Sequence, residues 1–167
     1  NIIPGISICC GTRGKILLNQ TYGYKSIFPK KEFLQENTIY DLASLTKPLI
    51  TAFLILYLCE KDRLSLNTTV KTIFNSFPID VTLLQLLTHT SGFPAWYPFY
   101  LYSQDYFSQI QTIPLESRPG KKVNYSCVGY ILIYYIIQKI SGISFEELAQ
   151  KIIFEPLKLK NTFLRVP

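Results

Sequence analysis

Ser44 and Lys47 stand three residues apart at the head of the mostly apolar stretch 40–58, YDLASLTKPLITAFLILYL. Positions i and i+3 share one face of a helix, so a helix that begins here brings a hydroxyl and an amine together. In a first turn the backbone N–H groups lack helical partners, and such groups stabilise an oxyanion. The positive end of the helix dipole and burial both disfavour a charged lysine. A neutral lysine takes the proton of a serine and makes it a nucleophile. The plain alternative is a helix cap followed by a solvated lysine. Composition does not separate the two: with 12 serines and 13 lysines about one S-x-x-K match is expected by chance, and one occurs.

Few other residues offer chemistry. His89 is the single histidine and ends a predicted helix just before the turn at Gly92 and Pro94. It is either a general base or a structural group that holds the turn, and the structural reading is preferred. Tyr125 stands where a turn meets an apolar helix, so its hydroxyl can face a cleft while the helix is buried. The aromatic stretch PAWYPFYLYSQDYF, 94–107, either lines a cleft or packs the helical region, and packing is preferred. Cys9, Cys10, Cys59 and Cys127 form no C-x-x-C pair and there is one histidine, so no zinc site is expected. Buried free thiols are the cysteines' default reading. No cofactor is implied by any functional reading of the chain. Sequons at Asn19, Asn67 and Asn124 matter only in a glycosylating compartment.

The elements that must position these residues follow from pattern. GISICCGTRGKILLNQTYGY reads as two antiparallel strands, with Gly11 and Gly14 supplying the turn. Residues 25–40 are polar and irregular. A helix is predicted from about Ser44 to Glu60, with Pro48 in its first turn, where a missing N–H costs least. A short helix near Val70–Phe74 follows. Thr82 and Gln85 form a capping box, as do Ser144 and Glu147. Helices are also expected near Ser103–Ile113, over 126–141 up to Gly142, and from Ser144 to about Phe154. The longest apolar stretches, Leu49–Leu58 and Val128–Ile137, fall short of the roughly 20 residues of a membrane span. They read as core helices, and no transmembrane segment is expected. The charge of +6 is scattered over the chain with no basic stripe, so nucleic-acid binding is not expected. The class is α/β (α+β): a β-hairpin over 1–24, then a mainly helical region over 40–167. Two strands alone make no stable sheet, so further strands are expected outside this chain.

Three segments in this order, YDLASLTKPL, LLTHTSGFP (86–94) and PGKKVNYSCVGYILIYYIIQKISG (119–142), resemble the serine β-lactamase and penicillin-binding protein superfamily. The likeness is greatest to class C β-lactamases, D-alanyl-D-alanine carboxypeptidases and family VIII esterases. It extends over nearly the whole chain. The resemblance implies a β-lactamase/transpeptidase-like fold and a serine acyl hydrolase acting on an amide, ester or lactam carbonyl of a small-molecule or peptide substrate. It implies that Ser44 is the acylated nucleophile, Lys47 its base partner and Tyr125 the proton shuttle. Cys127 occupies the family's substrate-binding asparagine position, which implies altered substrate handling, because a thiol is a weak donor. The family's third box, Lys-Thr-Gly or His-x-Gly on a late strand, has no counterpart here. On this resemblance the chain is expected to be a truncated domain needing a C-terminal remainder. A periplasmic or extracellular location is favoured. A non-catalytic binding or sensor domain is the alternative function.

Overall fold

The computed structural model describes residues 3–165. The chain divides into two compact units, Asn1–Leu42 and Ala43–Pro167.

The first unit is a three-stranded antiparallel sheet of β1 (Gly5–Thr12), β2 (Lys15–Ser26) and β3 (Glu32–Phe33). Gly5 lies opposite Gly23, Cys10 opposite Leu18 and Thr12 opposite Lys15, with a bulge between Cys10 and Gly11. The turn is Arg13-Gly14, at φ 46° and 79°. Left-handed backbone at both central positions suits a two-residue hairpin loop, because its twist matches that of the strands. Gly11, expected in the turn, lies instead beside the bulge. A Cβ there would come within 2.6 Å of the Lys15 carbonyl oxygen. β3 falls in the segment expected to be irregular, since two residues are too few to show an alternating pattern. It is tied to β2 by the stacked rings of Tyr24 and Phe33, 5.0 Å apart, and by a Lys25–Glu32 ion pair at 2.8 Å.

Leu34 is the only buried hydrophobic residue among the described residues of this unit. Cys9 and Cys10 are free and exposed, which corrects their reading as buried thiols. An apolar strand buries its side chains only where a second layer covers it.

The second unit is helical. Its first helical run, Ala43–Glu60, is 18 residues long. It opens as a 3-10 turn at Ala43–Leu45, widens to π-type turns over Lys47–Ala52 and becomes α1 at Phe53–Glu60. Pro48 supplies the reason. It donates no N–H, and its ring presses on the carbonyl four residues back, that of Ser44. By length and a mean hydropathy of 1.4 the run is apolar enough to cross a membrane, so the apolar element is longer than the ten residues counted in the sequence. Its Ile50, Leu54, Ile55 and Leu58 nevertheless belong to the core of this unit.

Three short helices follow: α2 (Val70–Ile73), α3 (Leu83–Leu87) and α4 (Tyr106–Ile110). Thr82 and Gln85 complete the predicted capping box in both directions, at 3.1 and 3.0 Å. The long helix α5 (Cys127–Ser141) is capped by Ser126 and ended by Gly142 at φ 77°. It contacts α1, α2, α3, α4 and α6 (Phe145–Ala149). Val128, Leu132, Ile133, Ile136 and Ile137 on α5 have no exposed surface, each contributing about 1.5–3 kcal/mol of burial. Ser144 caps α6 by accepting the Glu147 N–H, but the Glu147 carboxylate turns to Lys151 at 2.7 Å. The second predicted capping box is therefore only half formed, because the (i, i+4) ion pair takes the acid.

Candidate active site

The Ser44 hydroxyl sits in the opening 3-10 turn, exposed to solvent. Ala43 before it has φ 43°, in the left-handed region that alanine rarely adopts. One turn on, the Lys47 ammonium donates to Ser44 Oγ at 3.2 Å. The structure thus brings together the pair that the spacing predicted. The Lys47 Nζ also lies 5.0 Å from the centre of the Tyr125 ring and 5.7 Å from that of Tyr130.

The charge of Lys47 is not as expected. Burial pulls its pKa down. Contact with the Tyr125 hydroxyl, the negative charge that Tyr125 and Cys127 can carry, and the Cys127 thiol outweigh that and hold it above the ordinary 10.5. Tyr125 moves the other way. The Ser44 hydroxyl first, and then the Lys47 ammonium, hold its phenol below the ordinary 10.0. Tyr125 therefore gives up its proton more readily than an ordinary tyrosine, and Lys47 holds its proton more firmly than an ordinary lysine. The expectation of a lowered lysine pKa is not met, because the Tyr125 hydroxyl and the Cys127 thiol beside this half-buried amine compensate its lost hydration.

Tyr125 reaches Ser44 because its backbone is held on both sides. The Asn124 N–H donates to the His89 carbonyl at 2.8 Å, and the Ser126 N–H donates to His89 Nδ1 at 3.0 Å. Ser126 Oγ donates to the Pro94 carbonyl at 2.7 Å and accepts the Gly129 N–H at 3.1 Å. The Asn124 amide is spent on the Phe93 carbonyl and on Glu116 Oε2, at 3.3 and 3.0 Å. His89 serves the turn and the Tyr125 segment, as its structural reading expected.

Cys127, in the first turn of α5, is half-buried, with its thiol toward Lys47. Lys47 and Cys127 also border a cavity of about 490 Å³. Thr51 and the rings of Tyr106, Tyr130, Tyr134, Tyr135 and Phe145 make up most of its wall. The aromatic stretch divides accordingly. Tyr106 lines the cavity, Phe99 is buried, Phe107 packs on Phe74 at 4.6 Å, and Trp96 stays exposed. Sequence reading missed Tyr130, whose hydroxyl donates to the Leu87 carbonyl at 3.1 Å while its ring backs Lys47. On an apolar helix it carried no mark to separate it from its neighbours.

Several known proteins are similar to this chain in sequence or in fold. The chain is 30% identical over 95% of its length to a putative D-alanyl-D-alanine carboxypeptidase of Salmonella heidelberg, of which it covers 43%. It is 29% identical over 95% of its length to an N-acetylmuramyl-L-alanine amidase of Bacillus subtilis, covering 42% of that protein. The chain thus spans less than half the length of these relatives. A class C β-lactamase structure superimposes at a TM-score of 0.85 with 26% identity, covering 99% of this chain and 47% of that one. An octameric penicillin-binding protein homologue from Pyrococcus abyssi does so at 0.79 with 30% identity, covering 95% of this chain and 40% of that one. The fold is β-lactamase/transpeptidase-like. With the Beta-lactamase family model matching residues 1–167, the chain belongs to that family.

Proposed function

We propose that the protein is a serine acyl hydrolase that attacks an amide, ester or lactam carbonyl and passes through an acyl-Ser44 intermediate. The observation that carries this is the Lys47 Nζ contact with Ser44 Oγ at 3.2 Å, with the lowered phenol of Tyr125 beside both. In this reading Tyr125 accepts the Ser44 proton as Oγ forms its bond to the carbonyl carbon. Lys47 stays charged and stabilises the developing negative charge. When the tetrahedral adduct collapses, the Tyr125 proton goes to the leaving group, and water later releases the acyl group from Ser44. The names of the similar proteins, a carboxypeptidase, an amidase and a β-lactamase, support this class of chemistry. The aromatic wall beside Lys47 and Cys127 suits an apolar part of the substrate.

The test is the intact mass of the protein after exposure to a β-lactam or an activated ester. The expected result is one acyl adduct that maps to Ser44 and is absent from a Ser44→Ala variant with an unchanged thermal transition. An adduct that persists in that variant overturns the reading. One observation favours a second reading, a binding or sensor domain without turnover: Cys127 replaces a bidentate amide with a weak donor. Multiple turnover of a simple ester excludes that reading. A stable, unhydrolysed adduct favours it.

A further inference from the structure

We propose that His89 is the positioning residue for Tyr125, and that it holds Tyr125 in place only as a neutral imidazole. The consequence for catalysis rests on the acyl-hydrolase reading above, but the clamp itself is a matter of geometry. His89 uses two separate acceptors on the residues that flank Tyr125. Its carbonyl takes the Asn124 N–H at 2.8 Å, and its Nδ1 takes the Ser126 N–H at 3.0 Å. The imidazole lies against the ring it positions, with centroids 4.5 Å apart, and against Tyr130 on the far side at 5.0 Å. The residue adopts φ 57°, a left-handed conformation that points carbonyl and side chain at the same segment.

An Nδ1 that accepts a hydrogen bond carries no proton, so the proton of the neutral ring is on Nε2. Protonation turns Nδ1 into a donor facing another donor. It breaks the Ser126 contact and frees one side of Tyr125. The titratable groups that face His89 are Tyr125, Tyr130 and Lys47. Glu116 instead bonds the Asn124 amide. Burial and the Lys47 charge both hold the imidazole below its ordinary 6.5, which keeps it neutral at physiological pH. The sign follows. The clamp is fully present above the ordinary imidazole pKa and is lost as pH falls through the lowered one.

His89 is the single histidine, so its imidazole signals need no assignment by mutation. In the intact protein, nitrogen NMR is expected to show a bare Nδ1 at pH 8. On acidification the Ser126 amide and the Tyr125 ring signals are expected to shift with the imidazole midpoint. His89→Asn keeps the left-handed conformation and the carbonyl but loses the ring. It is expected to lower the acylation rate about ten- to a hundredfold, with KM changed far less, and to abolish the acid limb that follows the imidazole. Tyr125 signals that ignore the imidazole titration overturn the proposal, as does a folded His89→Asn protein with the wild-type rate and acid limb. If the variant does not fold, the NMR titration decides alone. If Tyr125 follows His89 but Ser44 accepts no acyl group, the positioning role stands and only the acyl-hydrolase reading falls.

Discussion

The two helices that deliver the site are built in opposite ways. α5 is regular, capped at one end by Ser126 and at the other by Gly142, and buried along one face. The Ala43–Glu60 run begins irregularly, with left-handed Ala43, a 3-10 turn and π-type turns around Pro48. Along it Leu45, Leu49, Phe53 and Leu56 are each about half exposed, while Ile50, Leu54 and Ile55 are buried. One helix is a rigid support, and the other presents a hydroxyl at a deformed end. Deformed helical turns are frequent at functional sites because they aim a side chain where a regular turn does not. The difference teaches that a regular, capped helix and a deformed one bring their side chains to the same candidate site by different means.

Three measurements sharpen that contrast. The largest effect is expected in the support. Leu132→Ala on α5 removes a side chain with no exposed surface and is expected to cost about 2–5 kcal/mol in denaturant unfolding. The second concerns the presented end. Tyr125 is held below its ordinary pKa, first by Ser44 and then by Lys47, so the Ser44 acylation rate is expected to rise with pH. The expected slope is about tenfold per unit. The rate is expected to level off below the ordinary 10.0 of tyrosine while Lys47, held above 10.5, stays charged. A stopped-flow profile with an activated ester reads this. A plateau only above pH 10 would show that the phenol is not tuned by its neighbours. The smallest effect is expected on the exposed face, where Leu56 is 53% exposed. Leu56→Ala is expected to change stability by about 0.5 kcal/mol or less. A loss as large as that of Leu132→Ala would show that this face is covered in solution.

Much of the site was legible because it is local. Ser44 and Lys47 meet through helical spacing alone, and the Thr82–Gln85 box follows from a three-residue offset. The charge pattern within the site was not legible. Dipole and burial pointed to a neutral lysine, whereas neighbours from α5 and the segment before it raise the lysine pKa. The strand β3 was missed because two residues carry no period. The exposure of Cys9 and Cys10 was missed because an apolar run records what a strand can bury and says nothing of what covers it.

The sequence by itself determined the Ser44–Lys47 pair, the helix caps, the hairpin and the family motifs, since each rests on contacts within a few residues. Only the tertiary structure decided which way the pKa values of Lys47 and Tyr125 move and what holds Tyr125. His89 and Ser126 are 37 residues apart in the chain and meet at 3.0 Å. Such a contact exists only once packing against α5 has brought the two segments together, and no local propensity encodes it.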